Sequence, residues 1–147
     1  MVDKRQVVIE LGNLMNQVAK ESNCQLKKLL GQLESSITPS QYIILKVIES
    51  NSNCKAADIA QMLDISPAAT TNVLDRLCHG GWIERIRSDK DRRVVWLKLT
   101  AVGQQRLKAI DEKKVDLMME QFKNITEEET VFVKKIFEKL LQKQGGS

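Results

Sequence analysis

Between Ser66 and Lys98 the chain gathers two sets of side chains whose chemistry fits one partner. The first is Ser66, Ala68, Thr70, Thr71, Asn72 and Arg76, small near its start and hydrogen-bonding throughout. The second is basic: Arg85, Arg87, Lys90, Arg92, Arg93 and Lys98 outnumber Glu84, Asp89 and Asp91. Small residues let a backbone approach a groove closely, threonine methyls can meet thymine methyls, and asparagine or arginine can pair with base edges. Guanidinium groups pair with phosphates or enter a narrow minor groove, where the potential is most negative. Together the two sets suit duplex DNA. A solvated face of an ordinary helical bundle has the composition of the first set alone, so the order of elements must decide.

That order is informative. Ala56, Ile59, Ala60 and Leu63 fall at i, i+3, i+4 and i+7, one face of a helix. Asp64 and Ile65 make a short turn before Ser66, whose hydroxyl can accept from the N–H groups that open a helix, and Pro67 suits the first helical position because its missing N–H would be unpaired there anyway. The second helix predicted from this start runs over about 67–79, with Val73, Leu74 and Leu77 inward. Gly80 and Gly81 stop it, since glycine readily supplies the left-handed conformation at a helix end. Residues 82–87 and 94–99 are rich in strand formers, with Val95, Leu97 and Leu99 on one face, and the polar stretch 88–93 joins them into a hairpin. Helix, turn, helix and basic hairpin make a winged helix-turn-helix, with the second helix in the major groove and the wing, about 84–98, at the minor groove.

Leu74-Asp-Arg-Leu77, Gly81-Trp-Ile-Glu-Arg85 and Asp91-Arg-Arg-Val-Val-Trp-Leu-Lys-Leu-Thr100 carry a family resemblance. The chain resembles the MarR family of bacterial transcription regulators, the multiple-antibiotic-resistance type, over nearly its full length. The resemblance implies that the helix from Pro67 is the recognition helix. It also implies that Arg93, the wing-tip arginine of the Asp-x-Arg element, reaches the minor groove with Asp91 helping to orient it.

The flanks are helical. Val7, Val8, Leu11, Leu14, Met15, Val18, Leu26, Leu29, Leu30 and Leu33 recur at helical spacing in one long first helix. Residues 36–38 break it, and Thr38-Pro-Ser-Gln41 is a capping box opening a helix to about Glu49. Thr100 is placed to cap a helix to about Lys123, and Thr126-Glu-Glu-Glu129 a last one striped by Val133, Ile136, Phe137, Leu140 and Leu141. The expected fold is mainly α: residues 1–35 an N-terminal dimerisation helix, 36–100 the DNA-binding lobe with its two-stranded β-wing, and 101–147 C-terminal dimerisation helices, in one compact domain. The flanking helices present more apolar surface than a small monomer needs to cover. A monomeric helical core is the alternative to a homodimer reading a pseudo-palindrome, with half-sites about one turn, roughly 10 base pairs, apart. The end, Gly145-Gly-Ser147, reads as a frayed or appended tail.

Composition narrows the class. The 147 residues suffice for a real core, and with aromatic content of 4% Leu, Ile and Val must supply most of it. A net charge of +4 suits a localised DNA surface better than an indiscriminate polycation. No apolar run approaches the roughly 18 residues that span a bilayer, and the N-terminus lacks a secretory pattern, so a cytoplasmic protein with no membrane role is expected. No nucleophile with its base, metal cluster or phosphate-cradling loop is apparent, which argues against an enzyme and against a cofactor. The single histidine, His79, beside Cys78 and with Cys24 and Cys54 far off, lacks zinc-finger spacing, so no metal is expected.

Two further expectations rest on the resemblance. Some family members sense oxidants through a first-helix cysteine, which makes Cys24 a candidate for a thiol-based alternative. Cys54 and Cys78 read as small apolar packing residues. The family also implies a cleft between dimer-forming helices and DNA-reading lobe for a small aromatic or phenolic effector whose binding releases DNA. Met15, Tyr42, Ile43 and Met118 are candidates to line it, and core packing explains each of them equally. Repression is the commoner output in the family, and activation stays open. A winged helix that binds protein instead of DNA is the remaining alternative.

Overall fold

The computed structural model describes residues 1–33 and 36–142. The tail 145–147 and the expected boundary at residue 35 lie outside the described residues. The elements are α1 (Lys4–Gly31), α2 (Pro39–Ser50), α3 (Ala56–Leu63), α4 (Pro67–His79), β1 (Ile83–Arg87), β2 (Val95–Leu99), α5 (Ala101–Gln121) and α6 (Glu127–Gln142). They form two units, Met1–Asp111 and the residues from Glu112 onward, with the division falling inside α5.

Local chemistry sets most helix ends. Thr38 and Gln41 close the capping box: the Gln41 N–H donates to Thr38 Oγ1 at 3.2 Å, and the Thr38 N–H donates to Gln41 Oε1 at 2.9 Å. Ser66 Oγ accepts the Ala69 N–H at 3.1 Å and opens α4 with Pro67 in its first turn. At the far end of α4 the Gly81 N–H donates to the Cys78 carbonyl and the Trp82 N–H to the Leu77 carbonyl, both at 3.0 Å, a Schellman closure. Only one glycine supplies the left-handed turn: Gly81 has φ +75°, whereas Gly80 stays right-handed at −74°. The first helix ends at Gly31, before Leu33.

The wing strands pair antiparallel in the register Ile83↔Leu99 through Arg87↔Val95. The Leu97 N–H donates to the Cys54 carbonyl at 2.8 Å, tying β2 to the segment that leads into α3. Leu30, Leu45, Ile59, Leu74, Leu97 and Leu107 come from α1 to α5 and are fully buried in one core. On α3 only Ile59 is fully buried; Ala60 and Leu63 are half-buried and Ala56 is exposed. The core thus fixes α4 and the wing in the same unit.

Apolar surface remains outside it. On α1, Val7, Val8, Leu11, Leu14, Met15 and Val18 are exposed while Leu29 and Leu30 are buried. In the second unit Thr126 and Glu129 cap α6 reciprocally, at 2.8 and 3.1 Å, yet no α6 residue is buried. No helix among the described residues is long and apolar enough to cross a membrane.

Candidate nucleic-acid interface

The outer face of α4 presents Ala68, Thr71, Asn72 and Arg76 to solvent, and Ser66 is exposed at its start. Ser66 spends its oxygen on the cap, and Thr71 donates its hydroxyl to the Pro67 carbonyl at 3.0 Å, which leaves its methyl on the surface. Thr70 departs from the expectation. It is 1% exposed and donates its hydroxyl to the Ser66 carbonyl at 2.9 Å. Thr70 lies four residues before Leu74 and seven before Leu77, so helical periodicity puts it on their buried stripe, and the local hydrogen bond satisfies the hydroxyl there.

At the wing tip, backbone bonds hold a compact turn. The Ser88 N–H donates to the Val94 carbonyl at 2.9 Å, and the Val94 N–H to the Asp91 carbonyl at 3.0 Å. Ser88 Oγ accepts from the Lys90 and Asp91 N–H groups at 3.3 and 3.5 Å. The Asp91 carboxylate accepts the Arg93 N–H at 3.0 Å, so Asp91 fixes the backbone from which the Arg93 side chain departs. Arg87, Lys90, Arg92 and Arg93 are all exposed. Arg85 is engaged elsewhere: its Nη2 meets Asp75 Oδ1 of α4 at 2.7 Å. An exposed pair of this kind adds little stability, but it joins the wing base to α4. Arg87, Lys90, Arg92 and Arg93 thus cluster toward the tip, with Lys98 exposed nearer the base.

One contributor was not evident from the sequence. Arg106 of α5 donates from Nη1 to the Gly80 carbonyl at 2.9 Å and lies over the Trp82 ring at 5.3 Å from its centroid. No local sequence signal marks it, because its partners Gly80 and Trp82 lie more than twenty residues away.

The candidate effector residues separate. Tyr42 belongs to the core of the first unit, where its hydroxyl donates to Asp111 Oδ1 at 2.6 Å. Burial, reinforced by that bond, pushes its pKa up to about 12. Lys46 Nζ donates to Asp111 Oδ2 at 2.7 Å, and these bonds to Asp111 and Glu49 hold its pKa above the usual lysine range. Tyr42 is therefore a structural group with a committed hydroxyl, whereas Ile43 and Met15 are exposed. Met118, in the second unit, lines an open cleft of about 590 Å³ with Val115, Met119, Phe122, Ile125 and Val131. None of Met15, Tyr42 and Ile43 borders that cleft.

Cys24 is exposed on α1, Cys54 is buried and Cys78 is half-buried. Burial pushes the Cys54 and Cys78 thiols up, although Arg85 pulls Cys78 the other way, so neither is disposed to form a reactive thiolate. Among the described residues no group of three or more His, Cys, Asp and Glu side chains could hold a metal ion.

Known proteins share this arrangement. The family model described as "MarR family" matches residues 37–95, which run from α2 into the second wing strand. The multiple antibiotic resistance protein MarR of Escherichia coli is 30% identical over 138 residues, 91% of this chain and 92% of that protein. A MarR family protein from Bacillus stearothermophilus has the same fold, with a TM-score of 0.86 at 21% identity over 98% of this chain and 99% of its own. A variant of E. coli MarR complexed with operator DNA matches at a TM-score of 0.66 and 30% identity, covering 95% of this chain and 99% of its own. Its relatives are transcription regulators and not enzymes. The chain belongs to the MarR family of winged-helix, DNA-binding transcription regulators.

Proposed function

We propose that the protein is a homodimeric repressor that reads a pseudo-palindromic DNA site, with α4 in the major groove and the wing tip at the minor groove. The observation that carries this reading is the exposure of Ala68, Thr71, Asn72 and Arg76 on α4 in the same unit as exposed Arg87, Lys90, Arg92 and Arg93 on the wing. The α4 groups suit base edges and the wing arginines suit phosphates or the narrow groove. Asp91, by holding the Arg93 backbone, prepares that side chain for the groove. DNA occupied in this way is closed to other proteins, which is repression.

The apolar surfaces support the dimer. Val7, Leu11, Leu14 and Val18 on α1 and, separately, Phe132, Phe137, Leu140 and Leu141 on α6 are large and exposed, and exposed apolar faces of this kind mark association sites. Two-fold pairing presents two copies of α4 to two half-sites. A small aromatic or phenolic effector that prefers a state with altered spacing of the two copies lowers DNA affinity by linkage. The apolar cleft around Met118 and Phe122 has the chemistry for it. The cytoplasm is the compartment this function requires.

Sedimentation of the protein with a duplex carrying its preferred site tests the reading. Two chains per duplex are expected. One chain per duplex contradicts the dimer, and folded protein that ignores duplex DNA even at low salt points to a protein-binding winged helix.

A further inference from the structure

The C-terminal end of α4 is fastened to the first turns of α5 by three residues of α5 and its cap. Thr100 Oγ1 donates to the Gly81 carbonyl at 2.6 Å and accepts the Gly103 N–H at 2.9 Å, and the Thr100 N–H donates to the Trp82 carbonyl at 3.1 Å. Gly103 allows the close approach: a Cβ there would sit 2.1 Å from the Trp82 carbonyl oxygen. Arg106 completes the row, donating to the Gly80 carbonyl and stacking over Trp82, which is 2% exposed. Thr100, just before α5, meets Gly81 and Trp82, Gly103 lies against the Trp82 carbonyl, and Arg106 meets Gly80 and the Trp82 ring. A guanidinium at a helix C-terminus also complements the negative end of the helix dipole.

We propose that Thr100, Gly103 and Arg106 are positioning residues for DNA recognition, setting the angle of the recognition helix against α5 and with it the spacing of the two half-sites. The inference rests on the dimeric reading above. The row and the end of α4 lie in one unit, so in a dimer the pose of α4 within that unit enters the distance between paired recognition helices. The α4 side chains choose bases, and the row on α5 chooses how far apart the two sets of bases lie. Loosening the row blurs the spacing while leaving base choice within a half-site intact. A residue that served folding alone would lower affinity equally at every spacing.

The experiment is a selection from duplexes that carry two copies of the preferred half-site with the number of base pairs between them varied, using the full chain and R106M. The parent is expected to enrich one spacing strongly. R106M is expected to spread over neighbouring spacings, with affinity for the best one falling about tenfold and half-site base preference unchanged. R106K keeps a donor but not the flat stacking surface, so it is expected to fall between the two and supplies the comparison if R106M does not fold. A variant spacing profile as narrow as the parent's, with all spacings weakened alike, overturns the positioning role. A parent that selects half-sites without any preferred spacing overturns the dimeric reading, and the spacing role with it.

Discussion

The Asp91 carboxylate accepts the backbone N–H of Arg93 across the wing turn at 3.0 Å. The bond leaves the Arg93 guanidinium uncommitted to Asp91 and restricts the directions in which it can leave the wing. Asp91→Ala should therefore weaken DNA binding although it removes a negative charge from a basic surface. A gain in affinity for Asp91→Ala, measured by fluorescence anisotropy on one duplex, would mean that its charge matters more than the turn.

Base choice should reside in α4. Asn72→Ala is expected to cost about 1–3 kcal/mol on the best site and to relax preference at one position in each half-site. Thr70→Val serves as the contrast, because its hydroxyl bonds the Ser66 carbonyl inside the unit. It should cost about 1 kcal/mol of folding stability with preference unchanged. An altered preference for Thr70→Val in site selection would mean that Thr70 reaches the DNA after all.

Thr70 also illustrates what was legible in the sequence and what was not. The caps at Thr38, Ser66, Thr100 and Thr126 were readable because each depends on residues within four positions. The inward position of Thr70 was readable as well, from its spacing to Leu74 and Leu77, but its polar type pointed outward. Pairings between distant residues are not legible locally. Arg85 of the wing pairs with Asp75 of α4, and the Tyr42 hydroxyl, for which sequence alone leaves core packing and a ligand cleft equally open, bonds Asp111, 69 residues away. Nothing local distinguished Arg106 from any other helix-surface arginine.

Alkaline pH should expose the Tyr42 network. Its folded pKa of about 12 lies above the ordinary value of 10.0, so the unfolded chain loses this proton first. The stabilisation is complete below pH 10 and is lost as pH rises toward 12. Because the chain has one tyrosine, tyrosinate absorbance reports this group directly. A folded-state midpoint near 10 would contradict the buried hydrogen bond, and Tyr42→Phe should flatten the stability profile between these limits.

Charge placed on the exposed apolar faces should separate the chains. Leu14→Glu and Phe137→Glu alter exposed residues, so neither needs to disturb the core. Each is expected to reduce the sedimenting mass from two chains to one and to weaken binding to a two-half-site duplex by more than tenfold. Retention of the parent mass in both variants would remove these faces from the interface.

The most direct test of the central claim is selection of sites from a random duplex pool by the purified protein at two salt concentrations, with Arg93→Ala alongside. The expected result is a two-fold symmetric sequence that Arg93→Ala binds more weakly, with a salt slope smaller by about one if Arg93 contacts a phosphate. Failure of the folded protein to enrich any duplex at low salt, or an Arg93→Ala variant with the parent's affinity and slope, would contradict it.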